Sequence, residues 1–372
     1  MLSNASEPID DRKLGWIIFQ SIVAAVFTVV TITGNALVCV AIIKNRALQS
    51  LTSVFIGNLA FVDLLVGLTL MPFAMVSCIT YEWIFGDAFC QVCGFLNFIL
   101  PLASIFTLAA VAFDRCIAIS KPLHYHKWIT RRTVGLFLVW IWAQSFFISI
   151  SPFFSCGVYE FKQSQSLCLI KWEASQKLAI ATLALGFVMP FTIMIVCYCC
   201  IFTIARRHNA EVSKQEKMEI RLSRQETYTQ QRTSRVSGNE GNDDVIKSRS
   251  SDSSKSVSSR PSRRIMLAFQ STAAERKSFR REQKASVILF IVLGTFIVAW
   301  IPYIIGAMYL VFESGLNPWP DDFYTASVWI AMLQSSCNPF IYGMLDRRYR
   351  NAMFNILCCM KSKYPLDVTG LY

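Results

Sequence analysis

The stretch FDRCIAISKPLHY, residues 113–125, places an Asp–Arg pair and then a proline directly after a long apolar run. The roughly 25 residues between Cys90 and Arg115 extend about 37 Å at 1.5 Å per helical residue. A helix of that length crosses the hydrocarbon core of a bilayer, which is about 30 Å thick. Residues 113–125 therefore predict the point where a membrane-spanning helix ends and the chain meets water.

The composition of the whole chain agrees with a membrane protein. Its 372 residues are 54% hydrophobic and 16% charged, with a mean hydropathy of +0.43, whereas soluble domains are about a quarter charged. Seven stretches reach the roughly 20 apolar residues that a span requires. Because a span in lipid must satisfy its own backbone hydrogen bonds, we expect seven α-helices. They lie near residues 16–43, 52–79, 88–119, 133–154, 178–204, 285–312 and 323–345.

The distribution of basic residues orients the chain. With the N-terminus outside, only five of the 36 Lys and Arg lie on the outer side, and this asymmetry satisfies the positive-inside rule. The net charge of +12 would attract nucleic acid or the anionic inner leaflet, and its distribution favours the leaflet. We therefore expect a multi-pass plasma-membrane protein that binds no nucleic acid. The five outer basic residues are Arg12, Lys13, Lys162, Lys171 and Lys177.

The predicted organisation has three parts. Residues 1–15 form an extracellular N-terminus, 16–345 a seven-helix domain, and 346–372 an amphipathic helix with a cytoplasmic tail. The third cytoplasmic loop, residues 208–279, contains KSRSSDSSKSVSSRPSRR, whose serine and basic content predicts disorder. The sequon at Asn4 would lie outside, where it can be glycosylated. This architecture is typical of a receptor.

Polar and charged side chains are rare in the spans, and each is a candidate for function because it is costly in lipid. The later spans also contain two motifs, AWIP at 299–302 and NPFIY at 338–342. In this pattern the sequence resembles the rhodopsin-like (class A) G-protein-coupled receptors, and in general flavour the biogenic-amine branch and its orphan relatives. The resemblance covers nearly the whole chain outside the long inner loop. The further residues that carry it are Asn35, Asp63, Cys90, Asp114, Arg115, Trp142, Pro190, Tyr198 and Asn338.

The resemblance implies signalling to a heterotrimeric G protein by outward movement of the sixth helix, with arrestin and receptor kinases as further partners. Asp114, Arg115 and Glu282 would hold the inactive state. Arg115, Pro122 and Leu123 would contact the G protein. Most of the family have Tyr where this chain has Cys116, a departure that bears on basal activity and coupling. The other activation-switch positions are Ile105, Pro190, Phe296, Trp300, Pro302, Tyr198, Asn338, Pro339 and Tyr342.

The resemblance also implies an ion site and a disulfide. Asp63, Ser104, Ser335 and Asn338 occupy the positions of a sodium site in the family. A water-filled polar network without a stable sodium ion is the alternative, and we expect no other cofactor. The disulfide would join Cys90 to Cys168, with Cys156 as the competing partner.

The stretch DRRYRNAMFNILCC after the seventh span predicts a short amphipathic helix on the inner leaflet. Its arginines would face the lipid headgroups, and Cys358 and Cys359 are candidates for palmitoylation. The alternative is a pair of free thiols. The side chains expected to face lipid are Tyr349, Phe354, Ile356 and Leu357.

The expected ligand pocket differs from that of amine receptors. Asn97 stands where those receptors place an Asp, and an amide supplies no counter-charge for a desolvated ammonium group. Met332 replaces the Lys that binds retinal in opsins. We expect an apolar, aromatic pocket that suits a weakly polar small molecule. Its expected lining is Asn97, Phe98, Pro101, Thr182, Phe187, Trp300, Tyr303 and Val328.

Other functions fit the sequence less well. A transporter or channel would show broken helices, paired repeats and a chain of charges through the membrane, but Asp63 is the only acid at mid-depth. An intramembrane enzyme would need a nucleophile with a base or a metal cluster, and the three histidines all lie on the predicted cytoplasmic side. We therefore expect a receptor and not an enzyme, with an amine receptor that uses a different anchor as the alternative.

Overall fold

A computed structural model describes residues 11–154, 159–237, 263–312 and 319–358. Contacts within the chain divide it into two units, Met1–Cys199 with Lys284–Tyr372 and Cys200–Gln283. Within the described residues, six helices are long and apolar enough to cross a membrane. These six helices contain the first six predicted spans.

The helices follow the predicted order of spans. The seventh span is a separate helix of 25 residues, and a short eighth helix comes directly after it. The all-α, seven-helix membrane fold is therefore confirmed. The helices are α1 (Asp11–Lys44), α2 (Leu51–Thr69), α3 (Met71–Thr80), α4 (Asp87–Ser120), α5 (Pro122–Trp128), α6 (Arg131–Phe154), α7 (Gln176–Thr182), α8 (Met189–Ser237), α9 (Arg263–Phe312), α10 (Asp321–Leu345) and α11 (Arg347–Leu357).

Two of the spans are built from more than one helix. The second span consists of α2 and α3, which are separated at Leu70. The fifth consists of α7, a π-helical turn over Leu183–Val188, and the first part of α8. The seventh, α10, is less apolar than the other spans because it contains five buried serine, glutamine and asparagine residues. These are Ser327, Gln334, Ser335, Ser336 and Asn338.

The core of the larger unit is organised around α4. This helix is the most deeply buried of the six apolar spans. It packs against α2 on one side and α6 on another, and α1 packs against α2, α3 and α10. Apolar side chains of α9, among them Leu289, Val292 and Phe296, complete the same core. The bundle therefore places residues of α4 between the other spans at both of its ends.

A β-hairpin that was not predicted from the sequence lies between α6 and α7. Its strands, β1 (Tyr159–Lys162) and β2 (Leu167–Ile170), are antiparallel, and both pack against α4. Partial burial raises the pKa of the Glu160 carboxyl, but Lys162 and Lys171 outweigh that effect and leave the pKa below its usual value. Their ammonium nitrogens lie 2.6 Å and 3.1 Å from the two Glu160 oxygens. We call this end of the bundle the hairpin end.

The smaller unit consists of polar helical segments. Where disorder was predicted over 208–279, α8 instead continues to Ser237 and α9 begins at Arg263. Residues 238–262 lie outside the described part of the chain. The rings of His208 and Phe279 stack within this unit, 3.8 Å apart. Glu, Lys, Gln and Arg, which fill these segments, are good helix formers, and this explains helix where little apolar surface is available.

Gly94 of α4 allows the hairpin to approach the bundle closely. A Cβ atom at this position would lie 2.4 Å from the Cβ of Tyr159. Tyr159 is almost completely buried, and its hydroxyl donates a hydrogen bond to the Ser149 carbonyl at 2.7 Å. A larger residue at position 94 would therefore displace Tyr159 from its site.

We predict that Gly94→Ala destabilises the purified protein by about 1–3 kcal/mol, the usual cost of overpacking. The measurement is thermal unfolding in detergent. Gly135→Ala is the matched control, because no described atom lies within 4 Å of the Cβ position there. Equal melting temperatures for the two variants would contradict this account of the helix–hairpin contact.

Candidate functional site

A small cavity of about 80 Å³ lies inside the bundle at the hairpin end. Its lining includes seven of the eight predicted pocket residues. Thr182 is buried but does not belong to this lining. Met332 and Gln334 of α10 also line it, and no Asp or Glu is present among its described lining residues. The seven are Asn97, Phe98, Pro101, Phe187, Trp300, Tyr303 and Val328.

The hairpin and the turn after it form part of the wall of this cavity. Leu167 and Leu169 of β2, together with Trp172, are part of the lining. The side-chain amide of Asn97 donates to the Cys168 carbonyl at 3.1 Å. The position that holds an acid in amine receptors is thus engaged with the chain's own backbone. The apolar run LCLI at 167–170 was the signal in the sequence that could have indicated this packing.

Aromatic contacts close the cavity around Trp172. Its indole nitrogen donates to the Tyr303 hydroxyl at 3.3 Å, and its ring packs edge-on against Phe98 at 5.8 Å. Below it, the rings of Phe296 and Trp300 stack at 5.7 Å. The cavity therefore has a hairpin lid and an aromatic floor.

A disulfide holds the lid in place. It joins Cys90, near the start of α4, to Cys168 of β2, with the two Cα atoms 5.5 Å apart. The competing cysteine considered above, Cys156, lies outside the described residues. The bond anchors the middle of β2 to the helix that also contains Asn97 and Phe98.

Three of the predicted switch residues, Ile105, Pro190 and Phe296, are buried in the bundle below the cavity. Ile105 and Phe296 belong to the same apolar core. Pro302 lies inside α9, which continues helically past it, and Pro339 lies inside α10. Ile105, Pro190 and Phe296 therefore have a packing role in the bundle.

A polar network lies deeper, where α1, α2 and α10 meet. Asp63 of α2 accepts a hydrogen bond from the Asn338 side-chain amide at 2.7 Å, and it also interacts with the Ser335 side chain. The Asn35 amide donates to the carbonyls of Thr31 and Ser335, each at 3.0 Å. Ser104 of α4 is buried and lines the cavity just described. The side-chain oxygens of Asn35 and Asn338 are buried with no hydrogen-bond donor among the described residues.

This donor set fits a sodium ion. Hard cations prefer oxygen ligands, and the region offers a carboxylate, two serine hydroxyls and two amide oxygens that lack donors. A buried carboxylate without a compensating charge is costly. The predicted sodium residues, Asp63, Ser104, Ser335 and Asn338, would hold the ion, and its charge would offset that of the carboxylate.

The Asp–Arg pair lies at the other end of α4, which we call the Arg115 end. A guanidinium nitrogen of Arg115 lies 2.7 Å from the Asp114 carboxylate, and both side chains are less than a tenth exposed. The Thr52 hydroxyl donates to Asp114 at 2.7 Å and accepts from Arg115. The Tyr125 hydroxyl donates to the second Asp114 oxygen at 2.8 Å. Thr52 and Tyr125 were not identified as members of this cluster from the sequence, although LTSVF at 51–55 places Thr52 at the start of a span and KPLHY at 121–125 places Tyr125 just after one.

The other residues predicted to act with Arg115 differ in their surroundings. Leu123 of α5 is 93% exposed, so it presents an apolar side chain to the surroundings, and Pro122 beside it is exposed too. The Cys116 thiol lies within hydrogen-bonding distance of the Ser120 hydroxyl. Glu282 belongs to the smaller unit, so its link to Arg115 stays a prediction.

Tyr349 of α11 does not face lipid, and the prediction for this residue is wrong. Its ring packs 5.6 Å from that of Tyr342, and its hydroxyl reaches Ser53 at 3.4 Å. Tyr198, another of the predicted switch residues, packs against Phe290 with ring centroids 5.2 Å apart.

The remaining residues of α11 divide by exposure. Phe354 and Leu357 are exposed, whereas Ile356 is partly buried. Cys358 is exposed at the end of the helix, and Cys359 lies outside the described residues, as does Asn4. The palmitoylation and glycosylation assignments stay predictions.

Residues 34–342 match the family model described as 7 transmembrane receptor (rhodopsin family). The chain belongs to the rhodopsin family of seven-transmembrane receptors. It is a class A G-protein-coupled receptor related to the biogenic-amine receptors, and it is not an enzyme.

Individual rhodopsin-family receptors are similar over most of this chain. The alpha-1A adrenergic receptor of Mus musculus is 29% identical over 99% of this chain and 75% of its own length. The histamine H2 receptor of Cavia porcellus is 28% identical, covering 94% and 82%. G-protein coupled receptor 161 of Homo sapiens is 28% identical, but this chain covers only 63% of it. Squid rhodopsin has the same fold, with a TM-score of 0.71 at 22% identity over 98% of this chain and 93% of that structure.

We predict that Tyr125→Phe destabilises the receptor by about 1.5–3 kcal/mol, because it removes a hydrogen bond to a buried, charged carboxylate. Burial, with a contribution from Asp114, raises the pKa of Tyr125 to about 12. Because this pKa is above the ordinary tyrosine value of about 10, the protonated donor is favoured in the folded state. Its contribution is full below about pH 10 and is lost as the pH rises through about 12.

The measurement is thermal unfolding of wild type and variant across a pH series. We expect a constant difference between about pH 6 and pH 9, since the hydroxyl keeps its proton there. Tyr228→Phe, at an exposed position of α8, is the control. A difference that disappears within that range would show that the Tyr125 hydroxyl is not the group responsible.

Proposed function

We propose that this receptor transmits an extracellular signal, or its own basal activity, to a heterotrimeric G protein by outward movement of the sixth span. The observation that carries the proposal is the closed cluster around Arg115. A buried guanidinium is held there by Asp114, Thr52 and, through Asp114, by Tyr125. Breaking these contacts would free a charged, hydrogen-bonding group at the surface where a G protein docks.

The adjoining α5 supports the same partner. Leu123 is an exposed apolar side chain beside the Arg115 cluster, and a partner could cover it in a pocket. In this proposal Glu282 provides a second carboxylate for Arg115 in the resting state. Arrestin and receptor kinases would act at the same end of the bundle, with α11 and Cys358 at the inner leaflet.

The hairpin end is proposed to be extracellular, with the N-terminus outside. The disulfide between Cys90 and Cys168 supports this orientation, because disulfides persist in oxidising compartments. The basic residues concentrated away from this end support it independently.

The ligand is proposed to be a neutral or weakly polar small molecule. A charged monoamine would find no acidic side chain among the described lining residues, and Asn97 is already bonded to the hairpin. The cavity of about 80 Å³ is smaller than the roughly 300–1,000 Å³ of most ligand pockets. A ligand must therefore displace Leu167, Leu169 or Trp172 to enter.

We predict that Thr52→Val raises basal G-protein activation, because it removes one donor to Asp114 and one acceptor for Arg115. The measurement is ligand-free activation of each G-protein class in cells at matched surface expression. Arg115→Ala should abolish the signal. Thr33→Val is the control, since that exposed threonine bonds only to its own helix among the described residues.

Equal basal signals for Thr52→Val and Thr33→Val would count against the proposed restraint. A signal that persists in Arg115→Ala would count against the role of this arginine. A flat wild-type signal with a raised Thr52→Val signal would mean that the closed cluster holds and that activation requires a ligand.

We predict that sodium stabilises the receptor through Asp63. Binding contributes about 1.4 kcal/mol when the ion is at ten times its Kd. The measurement is the melting temperature in sodium chloride against choline chloride at equal ionic strength. Asp63→Asn should remove the difference, whereas Glu82→Gln, at an exposed acid, should retain it. A shift that persists in Asp63→Asn would place the ion elsewhere.

A further inference from the structure

A second cavity lies between α1 and α10 near the hairpin end. Its volume is about 740 Å³, within the usual range for ligand pockets, and it shares no lining residue with the smaller cavity. Phe27, Trp329 and Leu333 are among the side chains that form its apolar walls. We call it the apolar chamber.

The apolar chamber opens toward the surface that lipid covers. Phe19 of α1 and Ile330 of α10 both line it and are each about half exposed, at 55% and 42%. Both residues lie on spans, so in a bilayer their exposed surface faces acyl chains. A molecule dissolved in the membrane could therefore enter this chamber without passing through water.

A polar chamber of about 450 Å³ adjoins the apolar one. The two share Gln20, Tyr81, Asp322 and Thr325, so they form a continuous space with one apolar and one polar part. The polar chamber is completed by Asp321 and by hairpin residues. This combination matches the two parts of a single-chain amphiphile.

The charge of the polar chamber selects among head groups. Asp321 and Asp322 both line it, and no Lys or Arg lines either chamber among the described residues. An anionic head group would meet like charge, and a neutral one would gain no charge pairing. A protonated amine is attracted to both carboxylates. Acids in the first turn of a helix are common, because they interact favourably with the helix dipole. Asp321 and Asp322 differ from such residues because they line a cavity that continues into an apolar chamber.

We propose that the two chambers form one binding site for a single-chain amphiphile with a protonated amine head group. The chain lies between α1 and α10, against Phe27 and Trp329. The ammonium lies in the polar chamber near Asp321 and Asp322. This site is separate from the cavity under the hairpin and does not depend on the G-protein proposal.

Because the surrounding solvent is lipid, the head group and not the acyl chain must determine which amphiphile binds this site. An acyl chain gains little when it moves from lipid to a protein wall, because both are apolar. The head group must therefore provide most of the preference for this site. Amphiphiles with the same chain and different head groups are the discriminating probes.

The test uses the full-length receptor in vesicles of phosphatidylcholine, a lipid with no net charge. The probe is dodecylamine with a photoreactive diazirine in its chain and a terminal alkyne. Labelled peptides are identified by mass spectrometry. We expect labelling of the α1 and α10 segments around Phe27 and Trp329. Unlabelled dodecylamine should compete about tenfold better than dodecanol or dodecyl sulfate.

Variants test the two chambers separately. Ala326→Trp fills the apolar chamber, and Asp321→Asn with Asp322→Asn removes the charge while keeping side-chain size. Each should reduce labelling about tenfold. Val29→Trp, on an exposed part of α1 outside the lining, and Glu82→Gln should leave labelling unchanged. Thermal unfolding of every variant checks that it is folded.

Two results would overturn the proposal. One is equal competition by dodecanol, which would mean that the head group is not recognised. The other is labelling spread evenly over lipid-facing segments and insensitive to Ala326→Trp, which would mean that no site exists. Since binding is the readout, either result leaves the G-protein proposal standing, and a flat G-protein assay leaves this one standing.

Discussion

Helices in a bilayer gain little from apolar burial against one another, so polar contacts and close packing must fix how they assemble. In this receptor such contacts join spans that are far apart in sequence. Asn58 of α2 donates to Thr107 of α4 at 2.8 Å and accepts from the Trp142 indole of α6 at 3.1 Å. Thr31 of α1 bonds to Ser336 of α10 at 2.6 Å. The Asn58 bonds join α4 and α6 to α2, and the Thr31 bond joins the first span to the last.

The two functional ends share α4 as a common rigid element. At the hairpin end it contains Cys90 and Asn97, which hold the lid through a disulfide and a hydrogen bond. At the other end it contains Asp114 and Arg115. One continuous helix of 34 residues therefore contains all four, with no intervening loop.

The Arg115 cluster illustrates how a buried charge pair can act as a restraint. Asp114 and Arg115 are removed from water, so each depends on the hydrogen bonds of Thr52 and Tyr125 to complete its partners. Such a pair adds little net stability, but loss of one partner leaves a charge poorly compensated. That imbalance makes the cluster sensitive to a small change in its surroundings, a property suited to a switch.

Much of the fold and part of the site could be predicted from the sequence. Hydropathy predicted the seven spans, because each span must by itself be apolar and long enough to cross the hydrocarbon core. The same length requirement placed Arg115 near a helix end. The identity of Asn97 predicted that this position of the cavity lining has no acid, and no Asp or Glu lines that cavity among the described residues. Thr182 was placed in the lining by the family resemblance, and the structure buries it outside the lining.

Only the tertiary structure determined which residues meet. The bond of Thr52 to Asp114, the bond of Trp172 to Tyr303 and the contact of Tyr349 with Ser53 all join distant parts of the chain. The apolar chamber between α1 and α10 also depends on tertiary structure, since its walls come from opposite ends of the sequence. A pattern of hydropathy records how each segment is solvated, whereas these contacts depend on the packing of one segment against another.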